Sequence, residues 1–277
     1  RPNPLGIANV CAKPKNINFN TVTSVIPTVV RHLKQTMNIE LYPEFDKVFT
    51  DKILEGIFYP LCSLTLKEYP NKVFHFISSN GMWMDENHKT ESNSSDYTLF
   101  EFQENKYKFN GDIRLYKGYE QAKNILDKLQ KDFDKNGRVY LDTKTQTDDY
   151  IRNQKQNFNI ESNDDFDIDY YLQTFYEFSI NKLNFKLNKR FGEFRHIIDG
   201  WGKSDKSSII YEIKNDNSTG FTDIEVNKEY IFPKTIEIEE YAKIGFIIGY
   251  EFFTDGNDTY LAFDEDKERV ICINHYS

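Results

Sequence analysis

The chain is poor in cysteine. Cys11, Cys62 and Cys272 are odd in number and show no Cys-x-x-Cys spacing, which argues against a disulfide framework and a cysteine-rich zinc site. Cys62 and Cys272 sit in apolar runs and read as free thiols. No stretch of about 18 apolar residues occurs, so no membrane-spanning helix is expected. An initiator Met and a basic-then-apolar leader are also missing; no signal peptide is visible, and a chain starting at Arg1 reads as a piece of something longer. Internal repeats are absent. Positive charge is in short supply: the formal net charge is −9, whereas a non-specific nucleic-acid binder needs a basic surface.

Aromatic side chains, by contrast, are plentiful. With 18 Tyr and 23 Phe, and hydrophobic residues at 39%, the chain can build a real core and is not globally disordered. At 277 residues it is near the size at which single cores split, so two units are expected. The expected organisation is a leader over 1–11, an α+β unit over 12–145 and a second unit over 146–277. The fold class is α+β or α/β.

In the first unit, residues 21–37 have apolar residues at helical spacing, with Pro27 kinking or ending the helix. His32 on that segment has no partner at metal spacing. Residues 45–59 read as another helix, 73–77 as a short strand and Ser78 to Gly81 as a turn. Residues 82–96 are polar and read as a mobile loop; His88 lies between Glu86 and Glu91 there and reads as solvated. Residues 97–102 and 107–109 alternate as strands, and Asn110-Gly111 reads as a turn. Residues 119–133 form a clear amphipathic helix that Asn136-Gly137 should stop. No catalytic set assembles in this unit.

Residues 142–165 are polar and read as the boundary, with room for a helix inside. Their acidic end, Glu161, Asp164, Asp165, Asp167 and Asp169, suits the start of a helix, because carboxylates favour helix N-termini. Residues 166–191 then have mostly helical spacing.

The chemistry-bearing stretch is Phe194 to Asn215. Ile197-Ile198 leads into Asp199-Gly200, and an apolar strand from Ser208 carries Glu212-Ile213-Lys214. Alternation puts Glu212 and Lys214 on one face and Ile213 in the core. Should Asp199 end the neighbouring strand, two carboxylates and an ammonium meet at one sheet edge. Carboxylates that close repel unless a cation lies between them. A divalent metal on Asp199 and Glu212, with Lys214 beside the attacking water, makes a phosphodiester-cleaving site. The surroundings are locally basic, since Arg195, Lys203 and Lys206 lie within the stretch. Arg195 and His196 could touch phosphate or give a proton to the leaving oxygen. The alternative is a plain hairpin, with Asp199-Gly200 as its turn and Glu212 and Lys214 on a wet strand face.

A helix, a strand ending in Asp, a spacer and an apolar strand with Glu-x-Lys together resemble the PD-(D/E)xK nuclease superfamily, especially its toxin domains. That resemblance implies a restriction-endonuclease-like mixed sheet flanked by helices over 146–277, and a magnesium- or manganese-dependent endonuclease. Asp199, Glu212 and Lys214 would be its catalytic residues; His196, just before the site, is a further candidate from its position, with a structural role as the alternative. Asp199 and Glu212 would hold the metal, with a further Glu on the preceding helix, Glu193 or Glu177. Arg195, Lys203 and Lys206 would contact nucleic acid, DNA being preferred. Where many toxin members have a Gln after the lysine, the nearest residue here is Asn227.

The opening Pro2-Asn3-Pro4-Leu5-Gly6-Ile7-Ala8 resembles the junction that closes the core of Rhs-repeat polymorphic toxins, with Asn3 where the family has Asp. This implies a secreted bacterial effector of interbacterial competition. It would act as a hydrolase in the target-cell cytoplasm and meet a cognate immunity protein. The C-terminal stretch gives a rival. An apolar run over 244–253, the Asp255-Gly256-Asn257 turn and strands over 260–263 and 270–273 form a meander. It resembles the closing strands of SMI1/KNR4-type immunity proteins, which implies an acidic, non-enzymatic protein that covers a basic toxin. Asp255, Asn257 and Asp258 also mimic a calcium loop, but Asp266 stands where its bidentate Glu belongs, so a turn is expected. A third reading makes residues 12–145 a binding or translocation module.

Overall fold

The computed structural model describes residues 38–66, 69–189, 241–247, 249 and 252–275. The expected helix over 21–37 and the leader over 1–11 lie outside the described residues. The described residues form one compact unit.

Among the described residues, eight strands make two sheets. In the first, β1 (Asn38–Leu41), β2 (Tyr59–Thr65) and β3 (Phe74–Ser78) pair in that order. The second has the order β5-β4-β8-β7-β6, from β4 (Tyr97–Gln103), β5 (Lys106–Phe109), β6 (Ala242–Ile247), β7 (Asp258–Asp264) and β8 (Arg269–His275). Every pairing between these strands is antiparallel. The architecture is therefore α+β. The strands expected to carry Asp199 and Glu212 lie outside the described residues.

β4 and β8 stand on opposite sides of the boundary expected after residue 145, yet they are hydrogen-bonded neighbours from Tyr97↔Ile273 to Glu101↔Arg269. One sheet thus takes strands from both sides of residue 145. The physical reason is the edge of β4: its unpaired backbone groups need a partner, and the closing meander supplies one. Local composition cannot reveal such a pairing.

β2 and β3 are buried almost residue after residue, the pattern of strands covered on both faces. Tyr59 packs on Phe178 with ring centroids 4.9 Å apart. Phe74 meets Phe102 at 5.6 Å and Phe263 at 5.4 Å, and the Thr259 hydroxyl donates to the Ile77 carbonyl at 3.2 Å. Edge-to-face aromatic contacts of this kind fill the space between the two sheets.

The described residues form four helices as well: α1 (Phe45–Val48), α2 (Tyr119–Thr143), α3 (Thr147–Phe158) and α4 (Ile168–Asn188). Two differ from expectation. The helix expected over 45–59 stops at Val48, is followed by a 3-10 turn over Lys52–Leu54, and gives way to β2. Gly56 closes that turn at φ +80°, where an added Cβ would come within 2.7 Å of the Tyr171 hydroxyl, so neither conformation nor space permits a continuing helix. α2 does the opposite and runs through Asn136-Gly137 to Thr143. Asn136 Nδ2 donates to Asp132 at 2.8 Å, Tyr140 Oη donates to the same carboxylate at 2.8 Å, and Arg138 pairs with Asp142 at 3.0 Å. Pairs spaced by one or two turns outweigh the intrinsic weakness of Asn-Gly. α3 is the helix for which the polar stretch 142–165 left room; its buried Gln154 donates to Asp132 at 2.8 Å.

The loop over 82–96 is irregular but not loose. Asn93 is fully buried, donating to the Asp112 carbonyl at 2.9 Å and accepting the Asp112 N–H at 3.0 Å. The β4–β5 hairpin turns at Glu104-Asn105, both at positive φ, as a two-residue turn matching strand twist requires.

Candidate functional site

The residues on which the sequence placed catalysis lie outside the described residues: Asp199, Glu212, Lys214 and His196, with Glu193 for the metal and Arg195, Lys203 and Lys206 for nucleic acid. Glu177, the alternative acid, is described. It is buried in α4 and accepts the Thr254 N–H at 2.8 Å, which ties the helix to the chain after β6. Among the described residues no group of three or more His, Cys, Asp or Glu is arranged to hold a metal ion.

One Ser–His pair invites a catalytic reading. His75 on β3 is 2% exposed, with Nδ1 2.7 Å from Ser63 Oγ and Nε2 2.8 Å from the Asn105 carbonyl. A carbonyl can only accept, so Nε2 carries the proton and Nδ1 accepts from the Ser63 hydroxyl. Burial pushes the imidazole pKa down to about 4, and the Asn105 carbonyl and Glu40 pull weakly the other way. The Tyr107 hydroxyl accepts the His75 backbone N–H at 2.8 Å. Every polar group is spent and neither Ser63 nor His75 lines any hollow described here, so this is a satisfied core cluster.

The surface gives a different picture around Trp83. This indole is 59% exposed, the most exposed large hydrophobic side chain among the described residues. It is nevertheless held: Nε1–H donates to Asp167 Oδ2 at 3.3 Å, and the ring lies 5.3 Å from Tyr170. Asp167 is itself the N-cap of α4 and accepts the Tyr170 N–H at 3.2 Å, so the helix start positions the indole.

Beside Trp83 a hollow of about 310 Å³ is lined by Lys117 and the loop from Ser162 to Asp167. The loop is folded back by Asn163 Oδ1, which accepts the N–H groups of Asp165 at 2.9 Å and Phe166 at 3.0 Å. Phe166 is buried and packs against Tyr171 at 5.3 Å. The anchor turns Asp164 and Asp165 outward, and both are exposed with no ion-pair partner among the described residues. Asp169, one turn on, pairs with Lys155 at 2.6 Å. The acidic stretch read from the sequence as a helix start is that, and it also rims an exposed aromatic. Trp83 itself lay in a segment read only as a polar loop.

A larger groove of about 560 Å³ runs between α2, α4 and the start of β2, floored by Phe58, Tyr59, Phe133 and Phe178. Its rim charges are largely engaged: Lys182 pairs with Glu44 at 2.8 Å, which holds that carboxyl below its ordinary pKa, and Gln130 donates to Glu55 at 3.0 Å. His88 lies 3.9 Å from Asp85 on a surface 3-10 turn, in keeping with a solvated histidine.

Comparison with family models, curated proteins and solved structures finds no match to this chain.

Proposed function

We propose that the body from residue 38 onward is a non-enzymatic, acidic interaction protein of the toxin–immunity kind, which covers a basic surface on a partner. The observation that carries this reading is Trp83, exposed yet fixed by Asp167 and Tyr170, with the unpaired carboxylates of Asp164 and Asp165 beside it. A rigid aromatic with a charged rim is the usual anatomy of a binding hot spot. Charge distribution supports the same partner. The five basic residues before residue 38 (Arg1, Lys13, Lys15, Arg31 and Lys34) have no acidic counterpart there, so all 44 acidic residues fall in the body. Removing those five charges from −9 leaves the body at −14. Such a field steers a basic partner and sets register more than it adds raw affinity. The meander β6–β7–β8, with an Asp-Gly turn between an apolar and an aromatic strand, is compatible with an SMI1/KNR4-like immunity protein.

The test is calorimetric titration against a panel of basic toxin domains. Charge reversal, Asp164→Lys with Asp165→Lys, should weaken binding strongly at low salt and less at high salt. Unchanged affinity in that variant sinks the reading.

A second reading rests on sequence alone: the spacing of Asp199, Glu212 and Lys214 and the Rhs-like opening support a magnesium- or manganese-dependent endonuclease toxin domain with a PD-(D/E)xK site. Plasmid and RNA nicking with each metal decides it. Activity abolished by Asp199→Asn, Glu212→Ala or Lys214→Ala would establish the enzyme, and no cleavage at any metal concentration would dismiss it.

A further inference from the structure

Trp83 borders a second hollow, of about 230 Å³, of opposite chemistry to the acidic one. In a chain with 29% charged residues, none of the described residues lining it is charged. Its polar lining is hydroxyl and amide, including Ser79, Asn80, Asn257 and Asn274, with two methionines and the Trp83 indole as apolar wall.

Part of that polar lining is committed. Asn80 accepts from the Tyr170 hydroxyl at 2.7 Å and donates to Thr174 Oγ1 at 3.2 Å, which fixes the back of the hollow against α4. Ser78 Oγ accepts the Asn80 N–H at 3.1 Å and Ser95 is engaged as well, which leaves three side chains of the lining with capacity to spare. Ser79 is only 7% exposed, yet its hydroxyl has no hydrogen-bond partner among the described residues. The Asn257 amide has none either, and Asn274 Nδ2 reaches the Ser95 carbonyl only at 3.4 Å, too long to be strong. The Ser79 oxygen is not sealed from solvent, so it can exchange a water for a hydrogen bond to a ligand.

Neutral walls disfavour an ion, since nothing would compensate its desolvation. Several donors and acceptors facing one another favour a ligand that carries several of both. An exposed indole at the lip offers a flat apolar face. The volume lies below the range of drug-sized sites, so one ring fits and a chain of rings does not. We propose that this hollow binds a single neutral, hydroxyl-rich ring of monosaccharide size, with its C–H face on Trp83 and its hydroxyls bonded to Ser79, Asn257 and Asn274. The site shares Trp83 with the partner surface proposed above, but its polar groups, Ser79, Asn257 and Asn274, are not part of that surface.

The chain has two tryptophans, Trp83 and Trp201, so Trp201→Phe leaves Trp83 as the reporter. Its fluorescence is titrated with glucose and with N-acetylglucosamine, and with glucuronate, glucosamine and acetamide as controls. At least one neutral sugar should give a saturable change, and the charged sugars and acetamide none. Ser79→Ala and Asn274→Ala should each weaken binding by about tenfold, the loss expected for one hydrogen bond. Asp164→Lys with Asp165→Lys should leave the sugar titration unchanged, so failure here is distinct from failure of the partner reading. No saturable response to either neutral sugar, an equal response to a control, or an affinity indifferent to Ser79→Ala overturns the proposal.

Discussion

His75 and Trp83 belong to neighbouring segments of the chain, and the fold treats their polar surroundings in opposite ways. Around His75 a serine hydroxyl, a backbone carbonyl and a tyrosine hydroxyl are all engaged, and the cluster is sealed. Around Trp83 the anchors are equally firm, but Asp164, Asp165 and Ser79 keep bonding capacity in reserve. The two residues show that residue type is a poor guide to role. A Ser–His pair in the core is scaffolding, because nothing can approach it. A tryptophan in a polar loop is a candidate contact, because fixed neighbours present it to solvent.

The comparison is broken most sharply by removing His75. His75→Ala should cost about 3 kcal/mol in urea unfolding at neutral pH, from the cavity together with the stranded Ser63 hydroxyl and Asn105 carbonyl. A loss below about 1 kcal/mol would mean that the cluster is not part of the core's support.

Acid should act on the same residue. Its folded pKa, about 4, lies below the unfolded value near 6.5, so between these pH values the unfolded chain binds a proton that the folded one refuses. The contribution of neutral His75 is thus complete above about pH 6.5 and shrinks as pH falls toward 4, by up to about 3 kcal/mol. Stability curves of wild type and His75→Phe should converge over that window; parallel curves would contradict it.

On the surface the order of effects reverses. Reversing Asp164 and Asp165 should change stability by no more than about 0.5 kcal/mol, and Trp83→Ala by about 1 kcal/mol. Trp83→Ala should nonetheless cost at least about 2 kcal/mol of partner binding by calorimetry. The smallest effect concerns Cys62 and Cys272, both buried, whose pKa values burial pushes well up. Peptide mapping after alkylation of the native protein at pH 8 should find both unlabelled, with labelling only on unfolding.

Several elements were legible from pattern alone. The strands near 73–77, 97–102 and 107–109, the amphipathic helix from Tyr119 and the helix over 166–191 reappear as β3, β4, β5, α2 and α4, with shifted ends. Their periodicity is strong because each buries one continuous face. The misread ends were settled by contacts distant in sequence or by local side-chain pairs. Tyr171 and Leu126 crowd Gly56 and end the first helix early. Asp132 gathers Asn136, Tyr140 and Gln154 and carries α2 past its expected stop. The Trp83 surface was invisible, since its acid loop, its indole and the α4 cap meet only after folding.

Composition and alternation by themselves determined an aromatic-rich protein of mixed helix and strand and net acidic charge, with Cys62 and Cys272 as free thiols, because these follow from which side chains avoid water and which cannot. Only the tertiary structure decided that the last three strands complete the sheet begun by β4 and β5, and that Trp83 stands among unpaired carboxylates. Hydrogen-bond partners for a strand edge, and neighbours for an exposed ring, are fixed by where distant segments arrive, and no local pattern encodes the meeting place.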